Sequence, residues 1–298
     1  MFDSSSFPSI DNSVVDNISH FNNAQHHLFT LRDDLIHNII SGNKWRKLKY
    51  VFDRIEKEQL KGIETFGGAF SNHVLAVSCC AHLHGLPCRI FVRGEELTVD
   101  SNHVLNACHS MGATLHFLSR SDYRSQKSRY GITEDGYLSI PEGGACKEGL
   151  MGVLEMGKLL SGYDVVAVAQ GTTTTSLGLL LSTPASTALW VFPVLKGFDS
   201  LIEMELIAQK CGFMEQFQAQ KHRVQVYDNY TFGGYAQGAD ALLQEIKQQG
   251  YQIPFPLDYV YTGKAFLGFM KESEKIKEPK SMMFIHTGGY AFNKIPFD

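Results

Sequence analysis

The sequence has no run of about 18 consecutive apolar residues, the length that crosses a bilayer as a helix, and residues 1–13 offer neither a basic stretch nor an apolar one. These absences predict a protein that neither spans a membrane nor is exported, and so a cytoplasmic one. Positive charge is also scarce. Lys and Arg number 27 against 31 Asp and Glu, a formal net charge of -4. No broad cationic surface is left to neutralise a phosphate backbone or an anionic membrane, so nucleic acid and membrane are excluded as partners. The six cysteines (Cys79, Cys80, Cys88, Cys108, Cys146, Cys211) form no CxxC pair and no zinc-ribbon spacing, and read as reduced, mostly buried thiols. Histidine gives no better metal signal: His26 and His27 are adjacent, and His82 and His84 would point to different faces of a helix. No metal site is expected. Repeats, low-complexity tracts and compositional linkers are missing as well.

What is present is core material: 44% of the 298 residues are hydrophobic, enough for one large α/β domain or two ordinary ones. From Lys61 onward, short β-branched or aromatic runs alternate with longer amphipathic ones, the pattern of βα units around a parallel sheet. Strands are predicted over 63–66, 88–93, 114–118, 164–169, 188–193, 224–227 and 282–286. Helices are predicted over 72–83, 101–111, 149–160, 201–210, 236–248 and 264–274. Gly85, Gly112, Gly212 and Gly250 fall just past helical runs, where a helix ends most easily. Several strands lead straight into Gly and small polar residues. Ligands bind outside the carboxyl ends of strands in open α/β sheets, so these loops should converge on one cleft.

Three segments carry the candidate chemistry. In Ser41-Gly42-Asn43-Lys44-Trp45-Arg46-Lys47, Gly42 permits a tight turn and Lys44 opens a helical pattern. The helix field, with Arg46 and Lys47 close by, should lower the Lys44 pKa and favour a neutral amine; taken alone, the segment also suits a solvated basic helix start. In Gly67-Gly68-Ala69-Phe70-Ser71-Asn72-His73, the glycines let backbone approach a ligand, and Ser71 and Asn72 suit either an anion or an ordinary helix cap. Gly171-Thr172-Thr173-Thr174-Thr175-Ser176-Leu177-Gly178 again joins a strand to a helix. Its N–H groups and hydroxyl row suit a phosphate, but it lacks the Lys of a P-loop and the spacing of a dinucleotide fingerprint. A phosphate monoester fits better than a nucleotide.

In this order, and with Leu31-Arg32-Asp33-Asp34-Leu35, Ile140-Pro141-Glu142-Gly143-Gly144, Tyr261-Thr262-Gly263-Lys264 and Phe284-Ile285-His286-Thr287-Gly288-Gly289, the segments cover nearly the whole chain. They resemble the family of 1-aminocyclopropane-1-carboxylate deaminase and D-cysteine desulfhydrase, within the tryptophan-synthase-β-like, fold type II pyridoxal-phosphate enzymes. The resemblance implies an α/β fold of two open, twisted, mostly parallel sheets flanked by helices. A smaller domain (50–156) would be inserted in a larger one (1–49 and 157–298), with pyridoxal 5'-phosphate between them. It implies that Lys44 carries the cofactor as a Schiff base, Asn72 meets its ring hydroxyl, and Thr172, Thr173, Thr174 and Thr175 hold its phosphate. The ring nitrogen would meet a neutral hydroxyl, preferably Thr287, otherwise Thr262, which stands where cyclopropane-cleaving members place a glutamate. Ser71, Asn72, His73, Tyr235 and Tyr261 would face the substrate.

The implied activity is a lyase or deaminase acting on a small amino acid and releasing ammonia and a 2-oxo acid, with D-cysteine desulfhydration ahead of 1-aminocyclopropane-1-carboxylate ring opening, and a homodimer as the implied assembly. A cofactor-binding protein with little catalysis and a non-catalytic α/β module are the readings from other classes. Two departures from the family pattern stand out. Its phosphate loop is usually richer in glycine, so Thr173 and Thr174 would be strained if the backbone there took positive φ. The part before Leu31 matches poorly and looks shortened.

Overall fold

The computed structural model describes residues 6–21, 26–195, 197, 199–234, 237–251, 253 and 255–289. Its elements follow in the order β1 (Val15–Asn17), β2 (His27–Leu31), α1 (Asn43–Lys57), β3 (Gly62–Gly67), α2 (Asn72–Leu83), β4 (Cys88–Arg93) and α3 (His103–Ser110). Next come β5 (Thr114–Leu118), α4 (Arg120–Gln126), β6 (Gly131–Ile132), β7 (Tyr137–Ile140), α5 (Lys147–Leu154), β8 (Val165–Gln170) and α6 (Thr174–Ser182). The chain continues through β9 (Ala188–Pro193), α7 (Ser200–Cys211), α8 (Met214–Gln220), β10 (Val224–Val226), α9 (Ala239–Gln249), α10 (Thr262–Ser273) and β11 (Ser281–Ile285).

Two sheets result. The smaller is ordered β5-β4-β3-β7-β6 and the larger β1-β2-β11-β8-β9-β10. All pairings are parallel except β1 with β2 and β6 with β7, which gives the two open, mostly parallel sheets the resemblance implied. Strand β8 shows why its sequence, Val-Val-Ala-Val-Ala-Gln, is apolar almost throughout. Side chains alternate across a sheet, and Val165, Ala167 and Ala169 pack into a core with α10, while Val166 and Val168 pack into a second core with α5 and α6. A strand covered on both faces needs no polar side. The smaller sheet has its own core, built with α1, α2 and α3, and all six cysteines are buried and free.

The predicted strands and helices all have counterparts, with ends shifted by up to three residues, except that the helix predicted over 149–160 ends as α5 at Leu154 and gives way to a 3-10 turn over Glu155–Leu159. Four strands lie outside those predicted: β1, β2, β6 and β7. Residue 50, the expected start of the smaller domain, falls in the middle of α1.

Candidate active site

Five loops meet at the carboxyl ends of the two sheets. The turn before α1 lies on the loop after β11: a Cβ on Gly42 would stand 2.0 Å from the Thr287 carbonyl oxygen, and one on Gly288 would stand 2.3 Å from Ser41 Oγ. Gly42 has φ +61, so this contact demands glycine on both steric and conformational grounds. The loop after β7 lies on the threonine loop, since a Cβ on Gly143 would meet Thr172 Cγ2 at 2.3 Å. The start of α2 reaches the loop after β11 through Asn72 Nδ2, which donates to the Gly289 carbonyl at 3.4 Å. The start of α10 closes the ring, because a Cβ on Gly171 would stand 2.7 Å from the Tyr261 ring.

Lys44 is the second residue of α1 and only half-buried. Its Nζ donates to Asn43 Oδ1 at 2.5 Å, and Asn43 Nδ2 donates in turn to Thr175 Oγ1 at 2.9 Å. One amide thus ties the candidate nucleophile to the threonine loop. The Lys44 pKa is lowered to about 8, first by burial, with the charge of Asp258 opposing. The direction is the expected one, but the cause differs: Arg46 is spent on a buried two-pronged pair with Asp33, at 2.6 and 2.7 Å. Lys47 is buried, donates to the Gly143 carbonyl at 2.9 Å and to Thr172 Oγ1 at 3.3 Å, and is lowered to about 7 by burial and by Lys44.

The threonine loop runs from Thr172 into α6. Thr173 precedes the helix with φ -75 and ψ -10, and Thr174 is its first residue, so neither needs positive φ and the conditional strain does not arise. Thr174 Oγ1 is buried without a hydrogen-bond partner, beside the first N–H groups of a helix, which lack intrahelical acceptors. An orphaned hydroxyl, a helix start and the Lys47 ammonium together suit a phosphate.

Ser71 caps α2, its Oγ accepting from the His73 N–H at 3.3 Å, the ordinary cap of the two readings its sequence allowed. His73 is buried. Its Nε2 pairs with Thr65 Oγ1 at 2.9 Å, and the Thr65 hydroxyl donates to the Ile140 carbonyl at 3.1 Å; Thr65 therefore accepts from Nε2–H, and Nδ1 is left bare and unpartnered. Burial, then Lys47 and Lys44, hold the His73 pKa well below the usual value.

Thr262 is fully buried and committed. Its hydroxyl donates to Asp258 Oδ2 at 2.6 Å and accepts from the Asp258 N–H at 2.9 Å. Asp258 also accepts the N–H groups of Val260, Tyr261 and Thr262, which seats the first turn of α10, although burial still raises its pKa. Thr287 is buried on the loop after β11. Tyr235 lies outside the described residues. Asn43, Lys47 and Asp258 were not singled out from the sequence as site residues. Asp258, just ahead of the 262–273 helix, carries a capping signal that would have drawn attention to it. Among the described residues, no group of three His, Cys, Asp or Glu is placed to hold a metal ion, and no helix is long and apolar enough to cross a membrane.

No protein-family model matches the chain. A protein of Thermotoga maritima provisionally named 1-aminocyclopropane-1-carboxylate deaminase is 30% identical over 284 residues, covering 88% of this chain and 88% of that protein. The D-cysteine desulfhydrase of Salmonella paratyphi A is 25% identical, over 88% of this chain and 86% of its own length. Among solved structures, an ACC deaminase homologue superposes with a TM-score of 0.74 at 22% identity, covering 96% of this chain and 93% of that one. A pyridoxal 5'-phosphate-dependent aspartate racemase does so with a TM-score of 0.61 at 15% identity, covering 93% and 90%.

Proposed function

Since the chain belongs to the family of 1-aminocyclopropane-1-carboxylate deaminase and D-cysteine desulfhydrase, we propose that it is a pyridoxal-phosphate-dependent lyase that converts a small amino acid, foremost D-cysteine, to ammonia and a 2-oxo acid by β-elimination, the sulfur of D-cysteine leaving as hydrogen sulfide and water supplying the 2-oxo oxygen. Bound at this site, the cofactor supplies an electron sink for bonds at the substrate α-carbon. The protein's part is attachment, orientation and proton transfer. Lys44 is the attachment point and, once released, the base that takes the α-proton at Nζ; a pKa near 8 keeps part of it neutral at physiological pH. Lys47, Thr172 and Thr174, with the N–H groups that start α6, hold the phosphate. Asn72 orients the ring hydroxyl. Ser71 and the N–H groups that start α2 take the substrate carboxylate, while Tyr235 and Tyr261 face its side chain.

One observation carries this reading: Asn43 accepts from Lys44 and donates to Thr175, so the attachment point and the phosphate loop are registered to each other by a single side chain. The choice between substrates rests on Thr262. Its hydroxyl is already spent on Asp258, which leaves Thr287 as the partner of the ring nitrogen. A hydroxyl does not keep that nitrogen protonated as a carboxylate would, and this favours rapid loss of a β-leaving group over ring opening. The relatives named for 1-aminocyclopropane-1-carboxylate deaminase keep ring opening as the second reading.

The test is to add pyridoxal phosphate to the purified protein, reduce with borohydride and map the labelled peptide, then compare D-cysteine with 1-aminocyclopropane-1-carboxylate by 2-oxo acid release. Labelling at Lys44 and faster turnover of D-cysteine are expected. A label on Lys47, Lys49 or Lys264 refutes the attachment point, and faster ring opening refutes the order of substrates.

A further inference from the structure

Thr287 does not fix its own place: among the described residues its hydroxyl makes no hydrogen bond. Beyond β11 the backbone also leaves extended geometry, with φ 74 at Gly288 and 97 at Gly289, a course open to glycine that sets no direction by itself. The residue before Thr287 supplies the direction. His286 is fully buried, and its backbone N–H still donates to the Leu31 carbonyl at 3.0 Å. Its ring reaches both past Thr287 and across to the segment that leads into α10.

Two bonds fix that ring. Nδ1 accepts from the Gly288 N–H at 3.2 Å, and Nε2 faces the Pro256 carbonyl at 2.5 Å. A carbonyl can only accept, so Nε2 carries the hydrogen and Nδ1 the lone pair. Both bonds therefore demand one neutral tautomer. Asp34 Oδ1, 3.6 Å from Nδ1, would favour a protonated ring. However, Asp34 is already held by Arg32 in a two-pronged pair, 2.8 Å for each bond, and a second ring proton would point at the Gly288 N–H. Burial, assisted by Arg32, outweighs Asp34, Pro256 and Asp258 and lowers the His286 pKa, which agrees with the neutral ring. Phe255 meets the ring edge-on, 5.2 Å between centroids.

The tie to Pro256 joins two parts of the site. Two residues on, the Asp258 carboxylate seats the first turn of α10. A Cβ on Gly289 would stand 3.6 Å from Asp258 Oδ2 and 2.9 Å from Asn72 Nδ2, so the loop after β11 has little room to shift. One imidazole sets both the turn that follows Thr287 and the spacing of that turn from α10.

We propose that His286 is a positioning residue: by holding the Gly288 N–H and the Pro256 carbonyl at once, it fixes where Thr287 presents its hydroxyl to the ring nitrogen of the cofactor. This rests on the reading of Thr287 as that nitrogen's partner given above.

The test compares His286→Phe, His286→Asn and Thr287→Val in the holoenzyme by kinetics and hydrogen exchange. Phe fills the space of the ring but makes neither bond. Asn keeps an acceptor for the N–H two residues on, a turn that Asn forms readily. His286→Phe should speed exchange of the Gly288 amide about tenfold or more. It should also lower kcat with D-cysteine about tenfold while KM stays within about threefold, because the proposed carboxylate site lies at the start of α2. His286→Asn should restore most of both losses. Thr287→Val should cost less on top of His286→Phe than it does alone, since a displaced hydroxyl has little left to lose. If His286→Phe does not fold, His286→Gln, which keeps only a donor for Pro256, takes its place with the same expected direction. Equal kcat in the Phe and Asn variants, unchanged exchange at Gly288, or losses that multiply in the pair overturn the proposal. A Thr287→Val variant with wild-type kcat, or a wild-type protein that turns over no amino acid, refutes the underlying reading instead; the exchange measurement then decides the hold on Gly288 by itself.

Discussion

Replacing Thr174 by Val removes a hydroxyl that is buried without a hydrogen-bond partner and puts a methyl group in its place. A buried polar group left unsatisfied costs about 1–3 kcal/mol, so the change should stabilise the cofactor-free protein by about 1 kcal/mol. For a chain of this size that is a rise in Tm of about 2 °C. Cofactor binding should move the other way. A hydrogen bond to a charged group contributes about 1.5–3 kcal/mol, and its loss raises the Kd for pyridoxal phosphate by about 10- to 150-fold at 1.4 kcal/mol per decade. Calorimetry of the cofactor-free protein gives the first quantity, and a spectrophotometric titration with pyridoxal phosphate gives the second. Thr175→Val is the internal contrast. Its hydroxyl accepts from Asn43 Nδ2, so removing it strands a buried donor and should lower Tm. A fall in Tm for Thr174→Val, or a Kd within about twofold of wild type, would show that Thr174 packs the helix start and does not hold a phosphate.

Other consequences are open to direct measurement. The Lys47 pKa near 7, against 10.5 for an ordinary lysine, means that above pH 7 the unfolded chain binds more protons than the folded one. Stability of the cofactor-free protein should then rise with pH from about 7 toward 10.5. Buried thiols such as Cys79, raised to about 12 from 9.0, oppose this above pH 9. The difference between wild type and Lys47→Met in denaturant titrations at pH 7 and 9 isolates the lysine: the variant should be the more stable at pH 7 and hold less of that advantage at pH 9, and a constant gap would refute the argument. Tyr261→Phe should lower kcat with D-cysteine more than it raises KM if its hydroxyl acts mainly in the transition state; steady-state kinetics decide. Thr262→Glu alone should fail to favour ring opening, because the new carboxylate would face the buried Asp258 and one of the two would have to stay protonated. A gain in turnover of 1-aminocyclopropane-1-carboxylate would contradict this.

The regular parts of the fold were open to reading where one local signal dominated. Strands over 88–93, 114–118 and 188–193 agree to the residue with β4, β5 and β9, because β-branched or aromatic runs bounded by Gly, Pro or polar residues leave few alternatives. The short β1 lacks such contrast: it is exposed at the edge of its sheet, and its pairing with β2 is decided by tertiary contact. Ser71 and the threonine loop were visible from their place between strand and helix. Asn43 and Lys47 were not, since their importance lies in contacts spanning 132 and 125 residues of sequence. Asp258 carries a capping signal in the sequence, but the charge it presents to Lys44 and Lys264 emerges only in the folded chain.

The order of the larger sheet bears on how this molecule reaches its native state. Strand β11 comes after every other described strand in the sequence, yet it lies in the interior of the sheet, between β2 and β8. The loop that follows it supplies the carbonyl against which Gly42 turns. The smaller sheet closes entirely within residues 62–140, and such local contacts form quickly. The larger sheet must wait for an encounter between strands more than 250 residues apart, which is entropically slow. Until β11 slots in, β2 and β8 have neither their shared neighbour nor the support that seats Lys44. On the proposed function, cofactor uptake would then follow closure of the larger sheet, because the site needs the loop after β11.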